Sequence, residues 1–225
     1  DSMNRCAIMC EKGIGTEKNK EEAFRYYKLS IDNDDIKSQY HYAFMQELGI
    51  GTPQNKEEAL KNYKLSADNG DINSMYRYAH MVEKGAGSKE EAFKYYKLAA
   101  DNGELKSFYN VAFMLDKGIG TKENKDKACI YYKESADNGE FKSMYRYAVM
   151  LDNGIGTRVD QRLALHYYRM SINNGDANSM YRYALMLEKG DGIQKDEKES
   201  IKYFRIAIEK GNSFAMRHYA TILAN

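Results

Sequence analysis

The sequence predicts an all-α chain: a right-handed α/α solenoid of about six short helical hairpins followed by one terminal helix. Three observations carry this. A Gly-x-Gly pair recurs along the whole length, with its first glycine at Gly13, Gly49, Gly85, Gly118, Gly154 and Gly190, at spacings of 36, 36, 33, 36 and 36 residues. A fixed period of this size marks a repeat architecture. Between successive pairs lie two segments with helical periodicity, and a single proline in 225 residues leaves them uninterrupted.

Each unit opens with a first helix. In the third unit Ser74, Tyr78, Met81 and Val82 stand at i, i+4, i+7 and i+8, which defines one buried face. Lys84-Gly85 closes it as a basic last turn followed by a residue free to take a left-handed cap. The second glycine follows at Gly15, Gly51, Gly87, Gly120, Gly156 and Gly192, so the pair is a repeated backbone device. The second helix starts at a capping residue placed three before a glutamate: Asn19 and Glu22, Asn55 and Glu58, Ser88 and Glu91, Asp196 and Glu199. Its buried face in the second unit is Ala59, Tyr63, Ser66 and Ala67, and Asn69-Gly70 ends it. The 33-residue spacing removes residues between Gly87 and Glu90, where Ser88 takes over the cap; this predicts one tighter loop with both helices in register. Residues 1–225 are therefore expected to form one repeat domain. Asp1-Ser2-Met3 aligns with the inside of a first helix and Ala224-Asn225 stops where a glycine pair is due, which predicts a segment of a longer array. Unstacked end hairpins predict weak self-association.

Thirty-four basic and thirty-three acidic side chains give a net charge of +1, which argues against a nucleic-acid footprint or a polybasic membrane segment. With a mean hydropathy of -0.75 and no long apolar run, no membrane span is expected. Three cysteines, Cys6, Cys10 and Cys129, are too few and too scattered for a disulfide framework, which points to a reducing, cytoplasmic setting.

The block Ser-Met-Tyr-Arg-Tyr-Ala at Ser74 to Ala79, the glycine pair, and then Ala-x-x-Tyr-Tyr and a small pair before Asp-Asn-Gly resemble the Sel1-like repeat, a relative of the tetratricopeptide repeat. The resemblance covers essentially the whole chain. It departs from the family pattern by volume trades: Ser74 for alanine, Tyr78 for leucine, Ala79 for glycine and Tyr95 for tryptophan. What the resemblance implies is an adaptor that assembles other proteins, with the first helices lining a concave face.

A search for chemistry returns little. His41, His80, His166 and His218 lie in different units without ligand spacing, and His41 and His218 fill the slot held elsewhere by Arg77, Arg146 and Arg182, which reads as a surface slot. Cys6, Cys10 and Cys129 each replace a core residue and read as small buried hydrophobes. The glycine pairs lack a strand before them and a Gly-Lys-Ser/Thr after them, so they are not phosphate loops. Tyrosine twins such as Tyr95-Tyr96 and Tyr167-Tyr168 fit hairpin packing better than base stacking. No catalytic, cofactor or metal residue is assigned, and the chain is not expected to be an enzyme.

The candidate partner-binding residues lie on the first helices. Tyr40, Tyr76, Tyr109, Tyr145 and Tyr181 occupy one slot; Phe44, His80, Phe113, Val149 and Leu185 stand four residues on, and Glu47, Glu83, Asp116, Asp152 and Glu188 three further. This i, i+4, i+7 stripe predicts a groove for an extended peptide or a helix, with tyrosine anchors and an acidic rail that favours lysine or arginine on the partner. The opposing reading spends the tyrosines and acids on holding hairpins together. Arg5, Arg77, Arg146 and Arg182, one residue along, would suit an acidic or phosphorylated ligand, or serve as a solvated face. Two other functions compete with a scaffold: a regulatory module of a larger enzyme such as a kinase or ubiquitin ligase, and an RNA-binding helical repeat, against which the neutral charge and the acidic row argue.

Overall fold

The computed structural model describes residues 2–33, 35–85 and 87–224. The expectations that rest on Asp1 and Asn225 lie outside the described residues. Thirteen helices and no strands occur among those residues. They alternate as anticipated. The first helices are α1 (Ser2–Lys12), α3 (Lys37–Leu48), α5 (Ile72–Lys84), α7 (Leu105–Lys117), α9 (Phe141–Asn153) and α11 (Ala177–Lys189). The second helices are α2 (Lys20–Ile31), α4 (Lys56–Asp68), α6 (Lys89–Asp101), α8 (Lys125–Asp137), α10 (Gln161–Asn173) and α12 (Glu197–Glu209), and α13 (Ser213–Ala224) is the terminal helix. The chain divides into two compact units, Asp1–Ser107 and Phe108–Asn225.

Within each unit a helix packs on its neighbours in the chain, and the core is the seam between them. Small residues let the helices approach: Ser38, Ser74, Ser143 and Ser179 of the first helices, and Ala23, Ala59, Ala92, Ala128 and Ala164 of the second, are fully buried. Ser74 pairs with Ser66 across helices at 2.8 Å, Ser143 pairs with Ser135 at 2.6 Å and Ser38 accepts from Asn4 at 2.7 Å, whereas the Ser179 hydroxyl is buried without a hydrogen-bond partner. Larger volume comes from Tyr27, Tyr63, Tyr96, Tyr132, Tyr168 and Phe204, one per second helix, each almost wholly buried.

Every second helix is capped by a side chain at its start, four of them at the residues the sequence suggests. Asn19 and Asn55 accept from the N–H three residues on at 3.0 Å, Ser88 at 3.3 Å and Asp196 at 2.9 Å. Asn124 and Asp160 do the same for Lys127 and Leu163, although no glutamate marks them in the sequence. The short connection keeps the register: α5 and α6 retain thirteen residues each, with Ser88 as the cap.

Two local expectations are corrected. Gly85 does not take a left-handed cap; its backbone is extended (φ -92, ψ -161), whereas Gly49, Gly154 and Gly190 are left-handed. The connection that follows is three residues shorter than the others, and the chain leaves α5 with Gly85 extended. Beside it, Met81 is only half-buried, while Met75 and Ala79 join Ser74, Tyr78 and Val82 in the core.

The second glycine of the pair has a reason the sequence does not display. At Gly51 (φ +66) an added Cβ would lie 2.2 Å from the carbonyl oxygen of Lys20, and at Gly156 (φ +64) 2.2 Å from that of Lys125. The turn after one first helix is thus pressed against the opening residue of the preceding second helix, where only a hydrogen fits.

Candidate functional site

Each second-helix tyrosine sits under the acid row of its own hairpin. The Tyr27 hydroxyl donates to Glu11 at 2.7 Å, Tyr63 to Glu47 at 2.8 Å, Tyr96 to Glu83 at 2.8 Å, and Tyr168 to Asp152 at 3.4 Å. Burial and the neighbouring carboxylate push these phenols far above their usual range, so they remain donors at every physiological pH. Burial also lifts the Asp152 carboxyl above its ordinary value, against the opposing pull of Arg182. Glu47, Glu83 and Asp152 of the predicted rail therefore commit hydrogen-bonding capacity to the core, which was the opposing reading of the stripe.

The fourth unit differs. Asp116 is buried and receives Lys125 at 2.9 Å and Lys117 at 3.0 Å. Burial acts to raise its carboxyl, but the two lysines outweigh that and hold it below the usual carboxylate range. The hydroxyl of Tyr132 is consequently buried without a hydrogen-bond partner. In the sixth unit Phe204 carries no hydroxyl, and Glu188 meets His218 at 2.9 Å instead.

The arginine slot is not a surface slot. Arg77 reaches back to the preceding unit, with its guanidinium 5.1 Å from the centre of the Phe44 ring and 3.7 Å from Glu47. His41 stacks on Tyr27 with centroids 5.1 Å apart and 6° between planes, and His218 lies 4.9 Å from Phe204. Arg, His and a core ring share flat shapes, so the exchange of histidine for arginine preserves packing across a joint. Arg77, Arg146 and Arg182 are all half-buried.

Burial holds the His41 imidazole below its usual pKa, against Glu11 and Asp71, with Lys12 acting in the same direction as burial; burial and Lys84 do the same to His80. A histidine whose folded pKa is depressed contributes stability above the unfolded value of about 6.5 and loses it as the pH falls through the folded value. The thermal midpoint of the native chain is therefore expected to fall further between about pH 7.5 and 5.5 than that of His41→Gln/His80→Gln; identical falls in the two melting series would refute this.

Tyr40, Tyr76, Tyr109, Tyr145 and Tyr181 are half-exposed. Each ring rests at a tilt on the core ring of its hairpin: Tyr40 on Tyr63 at 6.0 Å, Tyr76 on Tyr96 at 5.9 Å, Tyr109 on Tyr132 at 6.2 Å, Tyr145 on Tyr168 at 6.4 Å and Tyr181 on Phe204 at 6.0 Å. The i+4 partners stack where they are aromatic, at 6.2 Å for Phe44, 6.0 Å for His80 and 6.2 Å for Phe113. Within the compact unit of residues 1–107 a pocket of about 500 Å³ opens beside this row, lined by Glu47, Leu60, His80 and Met81 among others.

Sequence reasoning passed over one feature. Leu29, Leu65 and Leu98 occupy a single slot of three successive second helices and are 44%, 52% and 37% exposed. The recurring Lys-Leu before a small residue would have revealed it. The cysteine reading needs one correction as well: Cys10 and Cys129 are buried, but Cys6 is exposed, because a thiol in the Tyr78 slot is too short to reach the ring that Tyr78 meets, Tyr95 at 4.7 Å. All three are free thiols. Among the described residues no cluster of His, Cys, Asp and Glu could hold a metal ion, and no helix is long and apolar enough to cross a membrane.

The alternating hairpins, the small-residue seam and the glycine pairs define a helical-repeat protein of the tetratricopeptide-related kind. The Sel1 repeat model matches residues 1–35, 36–71, 72–104, 109–140, 141–176 and 177–212, and the chain belongs to the Sel1 repeat family. Sel1-repeat proteins generally act as scaffolds for protein–protein interaction. Among solved structures the chain resembles c5321, a protective antigen of uropathogenic Escherichia coli with an SLR fold, at 21% identity and a TM-score of 0.89 over 98% of this chain and 48% of that one. It also resembles a Sel1 repeat protein from Oxalobacter formigenes, at 24% identity and a TM-score of 0.80 over 95% and 88% of the two chains. The chain thus spans about half the length of the Escherichia coli antigen. At these identities the likeness is one of fold. No curated protein matches the sequence.

Proposed function

We propose that the chain is a non-enzymatic adaptor whose first helices bind a peptide or a helix of a partner protein. The anchors are Tyr40 and Tyr76 in the compact unit of residues 1–107 and Tyr109, Tyr145 and Tyr181 in that of residues 108–225. The observation that carries the reading is the repetition of a half-exposed tyrosine at one slot, each ring backed by a buried ring that fixes its orientation. An aromatic held in place before binding loses little entropy on contact and is the residue type most often found at interface hot spots. Glu83 in one compact unit and Asp152 in the other keep part of their surface exposed while accepting from the core, so the first helices of each unit retain negative charge that suits lysine or arginine on a partner. Arg77, Arg146 and Arg182 supply the opposite sign beside them. Three free thiols suit a reducing compartment, and we place the protein in the cytoplasm.

Selection of the intact chain against a displayed peptide library tests this. Enriched peptides are expected to lose about tenfold in affinity for Tyr76→Ala and Tyr145→Ala, while each variant melts only about 2–4 °C lower. Failure to enrich any peptide, or affinity unchanged in both variants, would return these tyrosines to a purely structural role.

A further inference from the structure

The fourth unit breaks the pattern of the others at one point, and the break leaves a pocket. In four hairpins the buried tyrosine hydroxyl donates to the acid of the first helix; Tyr132 does not, since Asp116 is held by Lys117 and Lys125. Tyr132 is 1% exposed, and its oxygen is a buried donor without an acceptor, which is unfavourable unless something supplies one. The pocket beside it, about 240 Å³, is lined by Asp116, Lys117, Lys125, Tyr132 and Arg146 together with apolar side chains. Three of these are cations and one is an anion. Lys125 also meets Glu123 at 3.3 Å, on a side chain 57% exposed at the rim. Counting Glu123, the site keeps one positive charge in excess. Arg77 at the equivalent slot has its carboxylate, Glu47 at 3.7 Å, whereas Arg146 forms no ion pair among the described residues.

We propose that this pocket is an oxyanion site, in which a carboxylate or phosphate group is held by Arg146, Lys117 and Lys125 and accepts a hydrogen bond from the Tyr132 hydroxyl. An oxyanion supplies the two things the pocket lacks: negative charge for a half-buried guanidinium and an acceptor for an orphaned phenol. The site shares Arg146 with the first-helix face but none of its tyrosine anchors, and it stands whether or not that face binds a peptide.

The test is a titration of the full, isotope-labelled chain with inorganic phosphate and, separately, with N-acetylaspartate, followed by NMR at constant ionic strength against sodium chloride. Saturable shifts at the Arg146 side chain and around Tyr132 are expected at millimolar anion, weakened about tenfold by Arg146→Gln and about threefold by Tyr132→Phe, and untouched by Arg182→Gln. Tyr132→Phe removes only the unpaired hydroxyl and is expected to fold. Saturation by either anion supports the site, and the tighter of the two names its source. No saturation by either, shifts matched by chloride, or unchanged binding in Arg146→Gln would overturn it.

Discussion

Gly156→Ala and Gly51→Ala are each expected to destabilise the fold by about 3–5 kcal/mol, the largest effect of any single methyl group in the chain. Two costs add. The left-handed backbone, φ +64 at Gly156 and +66 at Gly51, penalises any Cβ by about 1–2 kcal/mol. The Cβ would also lie 2.2 Å from a carbonyl oxygen of the preceding second helix, and backbone, unlike a flexible side chain, cannot swing away. The joint between two hairpins must therefore open, and in a repeat protein the joint is the core. Gly139 separates the two costs: its φ is +94, but nothing lies within 4 Å of an added Cβ. Gly139→Ala should lose only the backbone share, about 1–2 kcal/mol. Denaturant melts of the three variants would check this, and equal losses at Gly139 and Gly156 would show that the close approach carries no energy.

The second large effect is the loss of a core ring. Tyr96→Ala is expected to cost about 3–5 kcal/mol, because the side chain is fully buried between helices and its removal leaves a cavity that rigid helices cannot close. Tyr96→Phe keeps the ring and loses only the hydrogen bond to Glu83, at about 1–2 kcal/mol. At Tyr132 the sign changes. The hydroxyl is already unpaired, so Tyr132→Phe is expected to be neutral or to stabilise by about 1 kcal/mol in anion-free buffer. Chemical denaturation of the two phenylalanine variants side by side distinguishes them; equal destabilisation would mean that the hydroxyls contribute nothing specific.

The sequence disclosed the hairpins because both signals it used are local. Periodicity places Ala59, Tyr63, Ser66 and Ala67 on one face of α4, and the cap at Asn55 starts that helix through a contact three residues away. The role of Gly51 was hidden because its constraint comes from Lys20, one hairpin earlier, and the sequence shows only that a glycine recurs. The acid row was read as a rail for a similar reason: its partners lie on the next helix. Yet a signal was present. The acid precedes its tyrosine by 16 residues at Glu11 and Tyr27 and at Glu47 and Tyr63, but by 13 at Glu83 and Tyr96, where the connection is three residues shorter. A spacing that shortens with the loop belongs to two residues that meet across it. The half-burial of Arg77 could not be seen in this way, since an arginine that packs on a ring and one in solvent look alike in a sequence.

Two faces compete for the partner: the first helices with their tyrosine slot, and the second helices of the first unit with exposed Leu29, Leu65 and Leu98. The most direct measurement is site-specific photocrosslinking in native lysate, with a photoreactive phenylalanine analogue at Tyr76 or Tyr145 and, in parallel chains, at Leu65 or Leu98. Adducts with the same partner from Tyr76 and Tyr145, and none from Leu65 and Leu98, are the predicted result. Adducts confined to the leucine positions would contradict the assignment and place binding on the second helices.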